Sequence, residues 1–485
     1  MAGFREKYQY ILVMALFVLV ALFFPNSMIG LAVSLIVAAL AFIRPKDGLL
    51  FLLIYFPTRA FLIEINPSLK IAGDLIAIAA FLRAVWDQRN DWKKMFQFSL
   101  FEWGFFLFIL IGCVSALITG VSVGAIIFQV RAFVITYLIF YTVKRLSIEK
   151  EDIHRFLWIT FTMSMILSVQ GIVEKVSLRT LLMPETWVER YISPTNRQRI
   201  YGLINNPNVL AVYLTLAFIC TLYLSTLVSK RTKLFLLIGS VVMMGVWILT
   251  YSRGTAIGLA VGLITYLALS RNWRTVVKAL LIIVLSVIVI SIPVTKATEF
   301  VQNMNVLKEK PIAAPDQQGD ESHAEKRLKE TFEGSTIEQS KNTGRLFIVK
   351  KGLQIFKDHP VIGSGFSTFG DSASKSYSSP IYKHYGINLN IYSDNQYIQV
   401  IAETGVLGVV GFAVFLLGML AFLWKNRHTA SPYADALISI LIAVYVCGLL
   451  YNILEDKTFT AYFYMILGGV ASMAAETFGR PLRFR

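Results

Sequence analysis

Long apolar runs recur along almost the whole of this chain and restrict its fold more than any other feature. A segment that crosses a bilayer needs about 17 to 25 mainly apolar residues, because lipid cannot pair exposed backbone N–H and C=O groups. Fourteen runs approach or exceed that length, at 8–24, 28–43, 48–63, 71–86, 100–119, 124–143, 155–174, 207–228, 234–251, 254–270, 275–294, 397–424, 433–453 and 458–476. The pattern predicts an all-α polytopic membrane protein with 12–14 transmembrane helices, the lower number applying if short early runs are re-entrant.

The composition agrees with a protein that lies mostly in lipid. Hydrophobic residues make up 56% of the 485 residues and charged residues only 16%, whereas soluble proteins carry about 25% charged residues. The cysteines Cys113, Cys220 and Cys447 all lie in apolar runs, without the spacing of a disulfide framework or a metal site. No Asp-x-Asp motif occurs. The sequence therefore predicts no metal and no other cofactor.

The distribution of basic residues predicts an orientation. The net charge is +16, which in a soluble protein would suggest a nucleic-acid partner. Here the lysines and arginines lie mainly in short loops such as 44–46, 89–94 and 230–233, and by the positive-inside rule these loops face the cytoplasm. We therefore predict a multi-pass protein of the cell membrane with both termini cytoplasmic, surrounded by the lipid bilayer and without a nucleic-acid partner.

Two longer outer segments divide the predicted spans. The first run ends at Phe23-Phe24-Pro25-Asn26 without a small-residue cleavage pattern, which predicts a retained helix rather than a signal peptide. The predicted parts are N-terminal transmembrane helices in 1–175, a first outer loop in 176–206, central transmembrane helices in 207–294, a large extracytoplasmic loop in 295–396 and C-terminal transmembrane helices in 397–485. Residues 305–342 of the large loop are polar and predict a flexible insert or a solvated helix.

The second part of the large loop has a different pattern. After a possible helix start at Asn342-Thr343-Gly344, apolar residues follow at 3-4-3 spacing at Leu346, Val349, Leu353 and Phe356. This stripe predicts an amphipathic helix that lies on the membrane or on the other outer loops. His359-Pro360 is predicted to end the helix. The glycines of Gly363-Ser364-Gly365 then predict a turn with positive φ or a close approach of backbones.

Arginines at the outer helix ends are not explained by the orientation rule. Arg253 lies in a short break between two strongly apolar runs. It either reaches to lipid headgroups or binds a phosphate of a lipid-linked substrate with its two-pronged guanidinium. Arg131 lies inside the run 124–143 beside Gln129, and it either faces a functional cavity or forms a buried structural pair.

Further polar candidates flank the outer helix ends. The first outer loop carries Arg190, Arg197 and Arg199, and Arg345 lies at the start of the amphipathic helix. Asn206-Pro207 is a turn signal at the mouth of a span, and the amides of Asn205 and Asn208 beside it suit sugar hydroxyls.

A polar face leads back into the membrane after the large loop. Asn395, Gln399 and Glu403 are spaced four residues apart and therefore share one helical face. Asp394 before them has two interpretations. It either caps the helix or is an acidic group poised near several arginines.

These elements together resemble the O-antigen ligase/polymerase family of bacterial membrane glycan enzymes. The resemblance covers about residues 195–425 and lies in four stretches, Arg199-Ile200-Tyr201-Gly202 to Asn208, Tyr251-Ser252-Arg253-Gly254-Thr255-Ala256, Phe356 to Phe366, and Asp394-Asn395-Gln396-Tyr397 with Ala402-Glu403-Thr404-Gly405. In one respect the chain departs from the ligases, which have a His before the Asn of the last stretch, where this chain has Asp394. The pattern is more similar to polymerases of Gram-positive surface polysaccharides such as teichuronic acid.

The resemblance implies a fold similar to the GT-C transferases and a metal-independent glycosyl transfer on the outer leaflet. The donor would be an undecaprenyl-diphosphate-linked oligosaccharide and the acceptor a sugar hydroxyl of another lipid-linked repeat, with other polysaccharide-assembly membrane proteins as partners. Arg199 and Arg253, then Arg345, would stabilise the leaving diphosphate. Asp394 would activate the acceptor hydroxyl, with Glu403 as the second candidate and His384 or His359 as weaker ones. Substrate contacts would come from Arg199, Arg253, Arg345, Arg131, Asn205, Asn208, Asn395 and Gln399.

Two other function classes remain open on the sequence alone. One is a flippase or transporter for the same lipid-linked glycan, although no internal repeat is visible. The other is a scaffold for an envelope-synthesis complex. Within the enzyme class, a polymerase and a ligase are both compatible with the motifs.

Overall fold

The computed structural model describes residues 2–304, 344–388, 390–427 and 433–478, which form helices and loops without any strand. Within these ranges the chain forms α1 (Ala2–Phe23), α2 (Ser27–Ile43), α3 (Pro45–Ile65), α4 (Ala72–Asp87), α5 (Trp92–Met95), α6 (Leu100–Ile118), α7 (Val123–Arg145), α8 (Lys150–Val176), α9 (Glu185–Glu189), α10 (Pro194–Arg197), α11 (Pro207–Leu227), α12 (Lys230–Leu249), α13 (Arg253–Ser270), α14 (Trp273–Ser286), α15 (Ile292–Asn303), α16 (Arg345–Asp358), α17 (Ser372–Tyr377), α18 (Gln396–Lys425), α19 (Tyr433–Cys447) and α20 (Lys457–Phe478). A π-helical turn, Val287–Ser291, joins α14 to α15.

Each of the fourteen apolar runs overlaps a helix; run 275–294 extends over α14, the π-helical turn and the start of α15, and run 433–453 continues beyond the end of α19. In the described part of the chain, nine helices are long and apolar enough to cross a membrane, namely α3, α6, α7, α8, α11, α12, α13, the continuous stretch Trp273–Asn303 and α18. Three shorter apolar helices accompany them, Lys7–Phe23, Ser27–Ile43 and Ala434–Cys447. The predicted all-α polytopic membrane protein is confirmed.

The helices alternate in direction and leave two distinct faces. At one face, ion pairs join the short basic loops. Lys46 contacts Asp152 at 2.6 Å and Lys144 contacts Glu102 at 2.5 Å. At the other face, which we call the site face, the 176–206 segment, the break between α12 and α13, the large loop and the turn before α20 meet. The assignment of the site face to the cell exterior stays a prediction.

Close packing beneath the site face depends on small residues in α6 and α18. A Cβ on Gly104 would lie 2.7 Å from the carbonyl oxygen of Gly411, so the two helix backbones touch. Such contacts between small residues are typical of membrane helix pairs, where backbones gain van der Waals contact. Phe108 and Phe366 fill the space above them, with ring centres 5.2 Å apart. This pair attaches the large loop to the helix bundle.

The turn predicted at Gly363-Ser364-Gly365 is confirmed. Gly365 has φ 96, and a Cβ there would lie 2.1 Å from the backbone nitrogen of Ala116, so only glycine fits. Backbone hydrogen bonds hold the turn on both sides, from Gly365 to the carbonyl oxygen of Glu403 at 2.7 Å and from Phe366 to that of Gly112 at 3.0 Å. The turn therefore fixes the large loop between α6 and α18.

The amphipathic helix forms as predicted, and a side other than the predicted apolar stripe packs on the protein. Helix α16 ends before His359, as expected. However, its buried residues are Ile348, Gly352 and Ile355, while Leu346 and Leu353 of the predicted stripe are 52% and 43% exposed. The reason is the close approach at Gly352, where a Cβ would lie 2.4 Å from Ile398, so this side of α16 packs on α18. The helix start proposed at Asn342-Thr343 and the insert 305–342 lie outside the described residues.

Two local expectations are corrected or resolved. The cap of α18 is Asn395 rather than Asp394, since the Asn395 side chain accepts hydrogen bonds from the backbone N–H groups of Tyr397 and Ile398. Of the two interpretations of Arg131, the structural pair is present, because its Nε lies 3.2 Å from the carboxylate of Asp74.

Candidate functional site

Arg199 is oriented at the site face by two neutral oxygens. Its Nε donates to the carbonyl oxygen of Thr250 at 2.7 Å, and its Nη2 donates to the side-chain oxygen of Asn208 at 2.5 Å. Thr250 caps the end of α12, and Asn208 lies in the first turn of α11. The guanidinium therefore joins the mouths of two membrane helices and is fixed in one orientation.

Ser252 extends this network to the break between α12 and α13. Its hydroxyl lies 3.1 Å from Asn208 Oδ1 and 2.8 Å from the hydroxyl of Tyr451. Tyr251 before it has φ 50, in the left-handed region that a sharp reversal of the chain requires. Arg253 follows as the first residue of α13 and is exposed. The structure thus places Arg199 beside the segment that carries Arg253.

Tyr451 connects these residues to the large loop. Burial raises the pKa of Tyr451, while the charges of Arg199 and Arg345 oppose that rise. The phenol is therefore within electrostatic reach of both arginines. Arg345 itself is exposed at the start of α16. Arg199 is thus bonded into this side-chain network, Arg345 acts on it electrostatically, and Arg253 directly follows Ser252 of the network in sequence.

Asp394 lies between cations of α16 and α17. Its side chain is half-buried and its backbone has φ 46. Burial raises the pKa of Asp394, and the nearby charges of Arg345 and Lys375 oppose that rise. The Lys375 ammonium also lies 5.7 Å from the ring centre of Tyr392. We refer to Arg199, Arg253, Arg345 and Lys375 as the first basic cluster.

Glu403 lies about two turns into α18, and its environment differs from that of Asp394. It is 0% exposed. Its carboxyl accepts hydrogen bonds from the backbone N–H groups of Thr368 at 3.1 Å and Phe369 at 3.0 Å, and from the Gln399 amide at 3.1 Å. Glu403 thus fixes the segment after the Gly365 turn, and all its contacts are to the protein's own groups.

Two further carboxyls complete this buried set. Asp371 accepts from the backbone N–H groups of Ser367 and Ser374 at 2.7 and 2.6 Å, and its carboxyl interacts electrostatically with that of Glu403. Burial raises the pKa of Asp371. We call Asp371, Glu403 and Glu455 the carboxylate network.

Glu455 connects the network to three parts of the fold. It accepts hydrogen bonds from Gln129 of α7 at 2.9 Å, from Gln399 of α18 at 2.6 Å and from the Ser372 hydroxyl of α17 at 2.7 Å. Burial, and then the charge of Asp371, raise the pKa of Glu455 to about 7. Glu455 therefore holds α17, and with it Lys375, against the bundle.

The other predicted residues have mainly supporting contacts. Asn205 has φ 56 in the turn before α11, and Asn395 caps α18. His359 ends α16, and the ring of His384 packs edge-on against Tyr385 at 4.9 Å. Among the described residues, no group of three or more His, Cys, Asp or Glu side chains is arranged to hold a metal ion.

Sequence reasoning missed several residues of the site, namely Ser252, Asp371, Lys375, Tyr451 and Glu455. A signal existed for one of them, because Glu455, Asp456 and Lys457 are three consecutive charges at the mouth of the last span. Such residues are unfavourable next to lipid unless they have polar partners. The others lie in loops whose contacts are set by tertiary structure.

Comparison with known proteins agrees with the sequence motifs. A family model described as O-antigen ligase matches residues 238–413, which include Arg253, Arg345, Asp394 and Glu403 but not Arg199. No curated protein matches the chain. The match covers less than half of the chain and supports a likeness to membrane glycan-assembly enzymes of the O-antigen ligase and polymerase type.

Proposed function

We propose that this protein is a polymerase that joins undecaprenyl-diphosphate-linked oligosaccharide repeats into a cell-surface polysaccharide, teichuronic acid or a similar polymer, on the outer leaflet. The observation that carries the proposal is the network in which Arg199 is bonded to Thr250 and Asn208, next to the segment that carries Arg253, with the charge of Arg345 acting on Tyr451 of the same network. Preorganised guanidinium groups at a membrane surface suit a lipid diphosphate.

The first basic cluster acts on the leaving group. When the bond between the anomeric carbon and the diphosphate breaks, negative charge develops on the diphosphate oxygens. Guanidinium groups that are already oriented stabilise this charge without reorganisation. Arg199 is fixed in advance by Thr250 and Asn208, and the side chains of Arg253 and Arg345 reach the protein surface.

Asp394 acts on the acceptor. The acceptor hydroxyl forms the new bond to the anomeric carbon, its proton passes to the Asp394 carboxylate, and the lipid diphosphate leaves. A half-buried carboxyl whose pKa is raised by burial is a better proton acceptor than an exposed one, and Arg345 and Lys375 keep enough of it ionised. Glu403 is buried among protein groups, so we assign it a positioning role.

The proposed orientation follows the charges. The short loops at the face opposite the site are basic, which supports cytoplasmic termini and an extracytoplasmic large loop. In this orientation the first basic cluster lies at the outer headgroup level, where a lipid-linked glycan presents its diphosphate. Other membrane proteins of polysaccharide assembly would supply that substrate.

A substitution series at Arg253 in a polymer-forming strain tests the proposal. We expect Arg253→Ala to lower polymer yield by about 10² to 10³, the usual effect of removing one preorganised donor to a developing anion. Arg253→Lys should restore part of the yield, because it keeps the charge but not the fork. Arg190→Ala is the matched control on the same face. Unchanged yield and chain length in Arg253→Ala would exclude the assigned role.

A ligase is the second candidate, because the matching family model is described as O-antigen ligase. Purified protein supplied with one lipid-linked repeat and no other acceptor separates the two. A polymerase gives a ladder of products, whereas a ligase gives none until its own acceptor is added.

A further inference from the structure

A second group of cations lies at the site face, outside the machinery described above. It consists of Arg59 near the end of α3, Lys70 before α4, Arg131 in α7 and Lys457 at the start of α20. We call these four residues the second basic cluster.

The acidic partners of this cluster do not balance it. Asp74 lies 2.5 Å from Lys457 and 3.2 Å from Arg131. Asp456 is a second nearby acid. Its pKa is raised to about 6 by burial, a rise that its bonds to backbone N–H groups and the charge of Arg59 oppose. Glu455, next to Asp456, accepts a hydrogen bond from Gln129, two residues before Arg131. Four cations therefore face at most three carboxylates, and an excess of at least one positive charge remains.

Like charges are also crowded here. Arg59 and Arg131 both repel the Lys457 ammonium, so their proximity is unfavourable unless an anion is present. The Nε of Arg59 is buried and has no hydrogen-bond acceptor among the residues that the structure describes. A buried donor without an acceptor is costly. The Nε atom is closed off from solvent, so an oxyanion would bind this guanidinium through its Nη groups, of which Nη2 donates to the carbonyl oxygen of Lys70 at 3.4 Å.

Exposed and aromatic groups complete the cluster. Lys70 is exposed and lies 5.8 Å from the ring centre of Phe128, while Arg131 lies 5.4 Å from the same ring. Tyr377 packs edge-on against Phe128 at 5.6 Å. Lys70 is thus presented at the surface, beside the half-buried Arg131.

Two short segments connect this cluster to the first one. Helix α17 carries Lys375, which acts on Asp394, and two residues later Tyr377, which packs on Phe128. The segment before α20 likewise carries Tyr451, which faces Arg199 and Arg345, and six residues later Lys457. The two basic clusters therefore lie on either side of α17, with Asp394 on the side of the first.

We propose that the second basic cluster binds the phosphate groups of a second lipid-linked glycan, the acceptor, while the first cluster holds the donor. The inference rests on the proposed function, because a polymerase must hold two lipid-linked repeats at once. Lys70 and Lys457 lie at helix starts, while Arg59 and Arg131 lie one to two turns inside α3 and α7. A lipid phosphate would therefore meet the exposed Lys70 first. A phospholipid headgroup also carries a phosphate that would suit this cluster. The experiment below distinguishes such a phospholipid from a lipid-linked glycan.

Counting bound prenyl diphosphates tests this assignment. The purified full-length chain is titrated with farnesyl diphosphate, and stoichiometry is measured by native mass spectrometry. We expect two molecules on the wild type and one on the double variant Arg59→Gln/Lys70→Gln, with binding at that site at least about tenfold weaker. Arg253→Gln should also bind one, and the combined triple variant none. These changes leave the Arg131–Asp74–Lys457 contacts in place, and Lys357→Gln is the matched control.

The possible failures are distinguishable. A wild type that binds one molecule, lost only in Arg253→Gln, overturns the second site and leaves the proposed function intact. Binding that is insensitive to Arg253→Gln, or no binding at all, overturns the proposed function as well. A parallel titration with phosphatidylglycerol tests whether a phospholipid occupies the second site. If this lipid occupies the second site and farnesyl diphosphate does not displace it, the cluster holds a structural lipid and the acceptor assignment is wrong.

Discussion

Asp394 and Glu403 are two carboxyls of the same chain segment with opposite surroundings. Asp394 is half-buried between Arg345 and Lys375, while Glu403 is 0% exposed and accepts hydrogen bonds from Thr368, Phe369 and Gln399. The Asp394 carboxylate can therefore accept a proton from an incoming hydroxyl group. The Glu403 carboxyl is occupied by the hydrogen bonds that hold the large loop.

The comparison separates two kinds of contribution to one site. Substitution of a residue that acts on substrate should change the rate and leave the fold intact. Substitution of a residue that holds the loop should change stability first and rate as a consequence. The variants below test whether the two carboxyls divide in this way.

The largest effect is expected for Asp394→Asn. Removing a general base typically lowers the rate by about 10² to 10⁴, and asparagine accepts the positive φ of this position. Polymer formation by purified protein should therefore fall steeply while the melting temperature stays near the wild-type value. Glu185→Gln, an exposed carboxylate change in the first outer loop, is the control. Full activity of Asp394→Asn would remove this residue from the chemistry.

Glu403→Ala should chiefly destabilise the protein. The substitution leaves two backbone N–H groups without their acceptor, at about 1 to 3 kcal/mol for each buried group, while the Gln399 amide keeps its bond to Glu455. Thermal unfolding in detergent should show a clear drop in melting temperature, in contrast to Asp394→Asn. If Glu403→Ala unfolds like the wild type but has lost activity, Glu403 acts in the chemistry and the division fails.

Lys375→Ala should move the acid side of the pH–rate profile. Lys375 opposes the rise in the Asp394 pKa, so its removal lets that pKa rise further. The base is active only when deprotonated, and the loss of rate on acidification should therefore begin at a higher pH than in the wild type. Lys350→Ala in α16 is the matched control. A shift toward lower pH would contradict the assigned electrostatics.

Glu455→Gln should give the smallest effect, a change in how stability depends on pH. The pKa of Glu455 in the folded protein is raised to about 7, above its value of about 4.3 in an unfolded chain. The carboxyl therefore contributes stability that is present at low pH and is lost as pH rises through about 7. Melting temperatures between about pH 5 and about pH 8 should fall in the wild type and fall less in Glu455→Gln. If the melting temperatures of the wild type and Glu455→Gln fall equally with pH, a group other than Glu455 causes the pH dependence.

The sequence predicted the helices far better than the contacts between them. Apolar runs located all fourteen long helices, because crossing lipid requires a length that few other patterns produce. The glycines of the 363–365 turn were also predictable from their backbone freedom. In contrast, the side of α16 that packs on α18 was not predicted, because 3-4-3 spacing shows that a helix has an apolar stripe but not that Gly352 allows a close approach on another side.

The site was predictable only in part for a related reason. Arg199, Arg253 and Arg345 were identified because arginines at these helix ends are not explained by orientation, and their joint role stays a prediction. Tyr451 lies in a loop and Lys375 in a short polar helix, and only the tertiary fold brings them near Arg345 and Asp394. Arg131 was recognised as unusual, but its partner Asp74 could not be identified before the packing of α4 against α7 was known.

Product sizing with purified protein decides whether the site face joins lipid-linked glycans. The full-length chain in detergent or a bilayer disc is incubated with one defined undecaprenyl-diphosphate-linked repeat, and both the glycan products and the released lipid diphosphate are measured. We expect a ladder of lengthened glycans with one lipid diphosphate released for each bond formed, and loss of both in Arg253→Ala. A wild type that moves the lipid-linked repeat across a bilayer without lengthening it, or a ladder unchanged in Arg253→Ala, would show that the arginines at the site face do not serve glycosyl transfer.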